Sequence, residues 1–533
     1  MRFHALLCWT SCLLLLACNP VNDVVFDGAA VEFALTPLRA PEGAGALQIP
    51  LRLREPAPQA LRVSYRAVGV EAQDDCQLAD FASTEGTLSF AAGETQKNVT
   101  LWILDDDLAE LDEALSIQIE KVEGANLVGT RELHLVIEDD DRSGIVDANS
   151  EFGAGPNTAT DQSAALQAAF DRAHSLGRGV VKLGPGDYEV LGVALRAGTS
   201  LSARDVRWHR PAKAPDDAVT LLLSHAGAAD SSATLIEGLS IDGRRDAQGD
   251  YQAKIGENAH LIQLQGEARQ AGRLRAMLEG VDVEKGTGSG VFIGPNSDVH
   301  LCRLRGTDLY RDFLTLRGGN TRLEARELVT SATLGTSGMW FSGDAEGYAG
   351  NRRIDVRISD TRLASGDLEM ELEAGSNVEL ERFEMAQGPS RIVAPSASVR
   401  IVDSLLQFGV PSAEHNYIGL PHDVSIIRST LVANETDDEG AAASEAKRRL
   451  SALHVHWELP SELAFGIAVA TPPHRIVLDQ CRFQRGSNLE ADDVVFGVAS
   501  SGTGGSVQVT TPTVGAGISD VLAAECSGCT LSP

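Results

Sequence analysis

The feature that most constrains this chain is a spacing of apolar residues, two and three positions apart, that returns nine times after residue 230. The copies begin Ile236-x-x-Leu239-x-Ile241, Leu278-x-x-Val281-x-Val283, Val299-x-Leu301-x-x-Leu304 and Leu323-x-Ala325-x-x-Leu328. They continue as Val356-x-Ile358 with Leu363, Val378-x-Leu380-x-x-Phe383-x-Met385, Val399-x-Ile401 with Leu406, Val424-x-Ile426 with Leu431, and Ile476-x-Leu478-x-x-Cys481-x-Phe483. Equivalent starts at residues 234, 276, 299, 323, 356, 378, 399, 424 and 476 lie 42, 23, 24, 33, 22, 21, 25 and 52 apart. Intervals of 21 to 25 define one coil of stacked short strands; 42 reads as two coils, and 33 and 52 as coils with insertions, which repeat folds place in loops on one face. A row of stacked strands makes an extended groove rather than a closed pocket, a surface suited to long polymers.

At 533 residues the chain exceeds one ordinary domain, and 43% hydrophobic content is enough for real cores. Aromatic content of 5% beside 52 glycines suits aliphatic ladders and tight turns. The formal charge of −30, from 45 basic and 75 acidic residues, argues against nucleic acid as a partner and leaves divalent cations as ligands.

The first residues are a targeting signal: Arg2, an apolar run from Leu6 to Leu16 too short for a comfortable membrane span, and Leu15-Leu16-Ala17-Cys18. This resembles a bacterial lipoprotein signal, which implies removal of residues 1–17, acylation of Cys18, a short lipidated linker over 18–23, and export with membrane attachment through the lipid. Asn19 at the following position implies an outer-membrane or surface location. Export permits disulfides, and Cys76, Cys302, Cys481, Cys526 and Cys529 then remain. Cys481 falls on a repeat position and reads as a buried small apolar residue. Cys526-Ser-Gly-Cys529 reads as a local staple.

Residues 24–142 carry seven alternating segments: Val31-Phe33, Leu47 to Leu53, Leu61 to Tyr65, Thr87 to Phe90, Val99 to Ile103, Leu115 to Ile119 and Leu133 to Ile137. They predict an antiparallel β-sandwich. The segment resembles a Calx-beta domain through Pro41-Glu42-Gly43, Ala79-Asp80-Phe81, Gly86-Thr87-Leu88-Ser89-Phe90, Leu104-Asp105-Asp106-Asp107 with Glu110, and Ile137-Glu138-Asp139-Asp140-Asp141. Acidic runs meeting at one tip repel unless a cation sits among them, and Ca²⁺ takes six to eight such oxygens. The resemblance implies calcium ligands at Glu42, Asp80, Asp105, Asp106, Glu110, Asp139, Asp140 and Asp141. Calcium there would stiffen a spacer.

Residues 150–533 open with an amphipathic helix in which Leu166, Ala169, Phe170 and Ala173 share a face, Thr160 or Asp161 caps the start and Gly177 stops it. With Leu239-Ser-Ile241-Asp242-Gly243 and Ser289-Gly290-Val291-Phe292-Ile293, this opening resembles pectate-lyase-like proteins. That implies an all-β chain, a Calx-beta sandwich followed by a right-handed parallel β-helix whose open end the helix covers.

Fold alone does not give activity. Where polygalacturonase-like hydrolases carry paired aspartates, this chain has Ser289 and, at Arg311-Asp312-Phe313, only Asp312, with Asp308 as a partner candidate. A lyase needs a base and a cation to neutralise a uronate; Arg311, Arg317, Lys285 and Tyr310 are candidates on adjacent coils. His415, His422, His454 and His456 form a separate group, with Trp457 a candidate sugar platform. Three readings stand: a surface protein that binds or processes polysaccharide, an active lyase or glycosidase using Asp312, Arg311 and Asp308, and a noncatalytic adhesin contacting proteins.

Overall fold

The computed structural model describes residues 30–532 except 35–37, 70–80, 83–84, 128–130, 213, 216–217, 226–231, 246–258, 267–271, 332–337, 344–351, 365–367, 386–389, 394–396, 411–416, 420–422, 436–462, 470–473, 486–494, 501–504, 511–512, 515–519 and 527–528. Alternation of apolar and polar residues folds the N-terminal part into two sheets. One orders Gln96–Trp102, Ala46–Leu53, Ala30–Phe33 and Asn126–Leu127; the other orders Leu38–Pro41, Glu132–Glu138, Glu113–Glu123, Leu61–Gly69 and Glu85–Phe90. Val31, Ile49, Leu51, Val63, Leu101, Ile117 and Leu135 share the core between them. All seven segments expected as strands are strands, and Leu38–Pro41 and Asn126–Leu127 add two that are too short to show a period.

From Glu138 the chain crosses residues 139–143 into strand Gly144–Asp147, which pairs in parallel with Gly179–Lys182. Between these strands, helix Ser163–Ser175 buries Leu166, Ala169, Phe170 and Ala173, the face its sequence marks. Asp161 Oδ1 accepts from the Ser163 amide at 2.9 Å, and Gly177 follows the helix with φ 101°.

Beyond the helix a circuit makes three short strands, as in Leu274–Glu279, Asp282–Glu284 and Val291–Ile293, or runs the first two together, as in Ser200–His209, Thr234–Asp242, Ile354–Leu363 and Asn377–Met385, and each stacks in parallel on its counterpart in the neighbouring circuit. Thr234, Ala276, Val299, Leu323, Val356, Val378, Val399, Val424 and Ile476 succeed one another in a single unbroken register. The 42-residue interval is therefore one circuit and not two: Thr234 pairs directly with Ala276, and the extra length lies on either side of strand Ile262–Gln265. The stack also runs further than the repeat suggests, since Leu201 pairs with Ile236, Ile476 with Val507, and Val507 with Leu531.

Among the described residues, ten circuits turn from the first to the second strand position on one residue in the left-handed region: Asp205, Gly238, Gly280, Arg303, Glu327, Asp360, Arg382, Asp403, Arg428 and Gln480, in chain order. A side chain there costs roughly 1 kcal/mol or more, yet most of these residues are not glycine. Stacked charges offset part of the strain, because Arg382 pairs with Asp360 and Arg428 with Asp403, the latter at 2.6 and 2.7 Å. Gly238 has no such freedom: a Cβ would lie 2.8 Å from the Arg204 Cα.

Candidate functional site

The third strands of the circuits form a separate 12-stranded parallel sheet. Alternation within it sends Leu264, Ile293, Leu316, Phe341 and Met370 inward, where all are buried. The residues one position before them, Gln263, Phe292, Thr315, Trp340 and Glu369, stack in register on the outer side. Arg317 lies over the Trp340 ring, 4.9 Å from its centroid.

Asp312 sits just before strand Leu314–Arg317 and is 5% exposed. Its Oδ2 accepts from Thr315 Oγ1 at 3.1 Å, and the same hydroxyl shares a 2.8 Å hydrogen bond with Ser289 Oγ one circuit back. The Ser289 amide donates to His260 Nδ1 at 3.3 Å, and the His260 ring stacks on Phe292 at 4.4 Å between centroids. Burial, then the charges of Arg311 and Arg317, push the His260 imidazole down to about 4, so it is neutral at pH 7 and carries its proton on Nε2. The result is a buried carboxylate linked through the Thr315 hydroxyl to the Ser289 hydroxyl, with a neutral imidazole held by the Ser289 backbone amide, edged by two guanidiniums and by aromatic rings.

The candidates drawn from sequence separate here. Asp312, Arg311 and Arg317 fall in one neighbourhood, joined there by His260. Asp308, held at φ 51°, pairs instead with buried Arg245, whose Nη1 also donates to the Asp308 carbonyl at 2.9 Å. Thr315, Phe292 and Trp340 escaped the sequence reading, although the strand alternation that buries Leu314 and Leu316 necessarily turns Thr315 and Arg317 outward. His415, His422, His454, His456 and Trp457 lie outside the described residues, as do Cys18 and Cys76.

The acidic tip of the sandwich is a second site. Glu42, 2% exposed, accepts from the Asp106 amide at 3.2 Å. Asp140 and Asp105 carboxylate oxygens lie 3.2 and 3.7 Å from where a Cβ on Gly43 would sit, so the missing side chain leaves a cradle walled by hard oxygen donors. That donor chemistry fits Ca²⁺. Asp80 lies outside the described residues, and among those described no group of three or more His, Cys, Asp or Glu side chains is assembled to hold a metal. Asp106 Oδ1 caps the Leu108 amide at 2.6 Å. The remaining acids face arginine. Arg142 donates to Asp139 at 3.1 Å, to Asp112 and, at 3.1 Å, to the Glu110 carbonyl, while Asp141 pairs with Arg178. Burial holds the Asp139 carboxyl above its ordinary range against these donors.

Two cysteines resolve differently. Cys481 is a free, buried thiol pushed up to about 11 by burial. Cys302 is disulfide-bonded and lines a cleft of about 370 Å³ between the tip and the β-helix. Among the described residues no helix is long and apolar enough to cross a membrane.

Comparison with known proteins places a Calx-beta domain at residues 27–141. The apo-form Calx CBD1 domain is 24% identical over 22% of this chain and 100% of its own, with a TM-score of 0.20. The A-module of the Azotobacter vinelandii mannuronan C-5 epimerase AlgE4 is 15% identical, covers 73% of this chain and 100% of its own, and has a TM-score of 0.38. A family 28 exopolygalacturonase of Yersinia enterocolitica is 10% identical over 95% of this chain and 100% of its own, with a TM-score of 0.35. No curated protein sequence matches. The chain is all-β, a Calx-beta domain followed by a parallel β-helix.

Proposed function

We propose that this is an exported surface protein, anchored through a lipid on Cys18, in which a calcium-binding Calx-beta module presents a β-helix that binds or processes polysaccharide. The observation that carries the reading is the outer row of the third sheet. Phe292 and Trp340 set aromatic rings two circuits apart, one stacked by His260 and the other beneath Arg317, and Gln263 and Glu369 stand beyond them in the row as hydrogen-bonding groups. Sugars present the matching combination of apolar ring face and hydroxyl. Arg311 and Arg317 beside a neutral His260 favour an acidic chain, since guanidinium pairs with carboxylate in bidentate fashion. Asp105 and Asp140 beside Gly43, with Glu42 on the Asp106 amide, support the calcium assignment, which also takes in Asp80, Asp106, Glu110, Asp139 and Asp141.

A catalytic reading draws on Asp312. A buried carboxylate hydrogen-bonded to Thr315 and linked through Ser289 to His260 is a candidate proton acceptor, and Arg311 a candidate for neutralising a uronate. Affinity electrophoresis and product analysis on acidic polysaccharides test both readings. Retardation of the wild type without product supports binding alone. Product that disappears in Asp312→Ala supports catalysis. No retardation and no product on any glycan, with capture of a protein partner, supports the adhesin and sinks the polysaccharide reading. Metabolic acyl labelling lost in Cys18→Ala tests the anchor.

A further inference from the structure

The acidic tip does not stand free of the β-helix. Leu108, from the loop between Asp107 and Ala109, is 5% exposed because it seats on Ala233, which precedes strand Thr234–Asp242, and on Leu235 and Met277, paired residues of the first strands of two successive circuits. Around this apolar contact stand two arginines of the β-helix. Arg275 grips the Asp107 carboxylate with both terminal nitrogens, one at 3.1 Å. Arg178 pairs with Asp141 and donates to the Asp107 carbonyl. The connection between the two units is short and tied at its far end, where the Ser143 amide donates to the Arg178 carbonyl at 2.7 Å.

We infer that Arg178 and Arg275 stand in for a cation on the side of the tip turned to the β-helix, so that docking of the tip and loading of calcium compete, directly for Asp141 and indirectly through the run Asp105-Asp106-Asp107. The inference rests on the calcium reading above. Asp141 is one of the acids assigned to the ion, and its oxygens cannot serve a guanidinium and a metal at full strength together. Asp107 belongs to the run Asp105-Asp106-Asp107, so a calcium ion drawing in Asp105 and Asp106 pulls on the segment that Arg275 and Leu108 hold against the β-helix. Coupling between two such equilibria is reciprocal: whatever affinity docking removes from calcium, calcium removes from docking.

Calcium titration by calorimetry of the wild type, of Arg275→Ala and of the double variant Arg178→Ala/Arg275→Ala tests this. The double variant is expected to bind calcium about ten-fold more tightly than the wild type, within the range of site-to-site couplings. Arg275→Ala alone, at a half-exposed side chain whose loss leaves the fold intact, shifts affinity the same way by less. In parallel, saturating calcium is expected to speed tryptic cleavage of the wild type after Arg178. Equal or weaker calcium binding in both variants overturns the competition while leaving the calcium site standing. Absence of calcium binding in every protein overturns the calcium site and the inference with it. Unchanged or slower cleavage at Arg178 also counts against competition.

Discussion

The two sides of the third sheet are made by the same strands and obey opposite rules. Inward, Leu264, Ile293, Leu316, Phe341 and Met370 repeat one chemistry, and each is buried against the next. Outward, glutamine, phenylalanine, threonine, tryptophan and glutamate occupy equivalent positions without repeating. A stack needs uniform neighbours to bury surface continuously, so uniformity marks what holds the fold. Variety at equivalent positions costs packing regularity, and on the outer side it coincides with a buried carboxylate and a neutral histidine.

The contrast breaks if inner and outer substitutions behave alike. Phe341→Ala opens a cavity in the inner row and is expected to cost about 3–5 kcal/mol in denaturant unfolding. Ligand affinity of the protein that remains folded should be unchanged. A loss below about 1 kcal/mol would deny the inner row its role.

His260 comes next. The unfolded chain takes up its proton near pH 6.5 and the folded one near 4, so its contribution is complete above pH 6.5 and is lost as pH falls toward 4. Up to about 3 kcal/mol is at stake. In His260→Gln the unfolding free energy should lose that part of its slope between pH 4 and 6.5, and a slope equal to the wild type's would refute the burial argument.

Trp340→Ala, on the outer row, is expected to leave the unfolding midpoint nearly in place while weakening retention on acidic polysaccharide about ten-fold. Smallest is Asp360→Asn at the charged corner. The Arg382 guanidinium holds the Asp360 carboxyl below its ordinary range, but the pair is largely solvated, so the cost should stay under about 1 kcal/mol and shrink with added salt.

How much of this was legible depends on whether the signal is local. The starts from residue 276 to 476 are apolar positions of one strand type, and with Thr234 all nine fall in one register because burying an aliphatic row leaves a parallel stack no alternative phase. The interval of 42 misled because length alone does not distinguish an extra circuit from a loop. The circuit of Ser200–His209 was invisible for a different reason: Leu201 and Val206, which pair with Ile236 and Leu239, stand five residues apart where their partners stand three apart. At the site, Asp312 and Arg311 were found from motif comparison, and their gathering with His260 follows from the register. The pairing of Asp308 with Arg245 links residues 63 apart through a corner, and no period predicts it. Arg178 and Arg275 were equally silent, since their partners belong to the other unit.

The left-handed corners have a consequence for how such a molecule changes size. From Arg382 to Asp403 the chain leaves one corner and arrives at the next in the same backbone conformation, on the same edge. A cut and rejoining between two corners therefore excises a whole turn of the spring and shortens the body by about 4.8 Å. Reach along a long substrate becomes a quantity that can be dialled in whole steps, without redesigning either end.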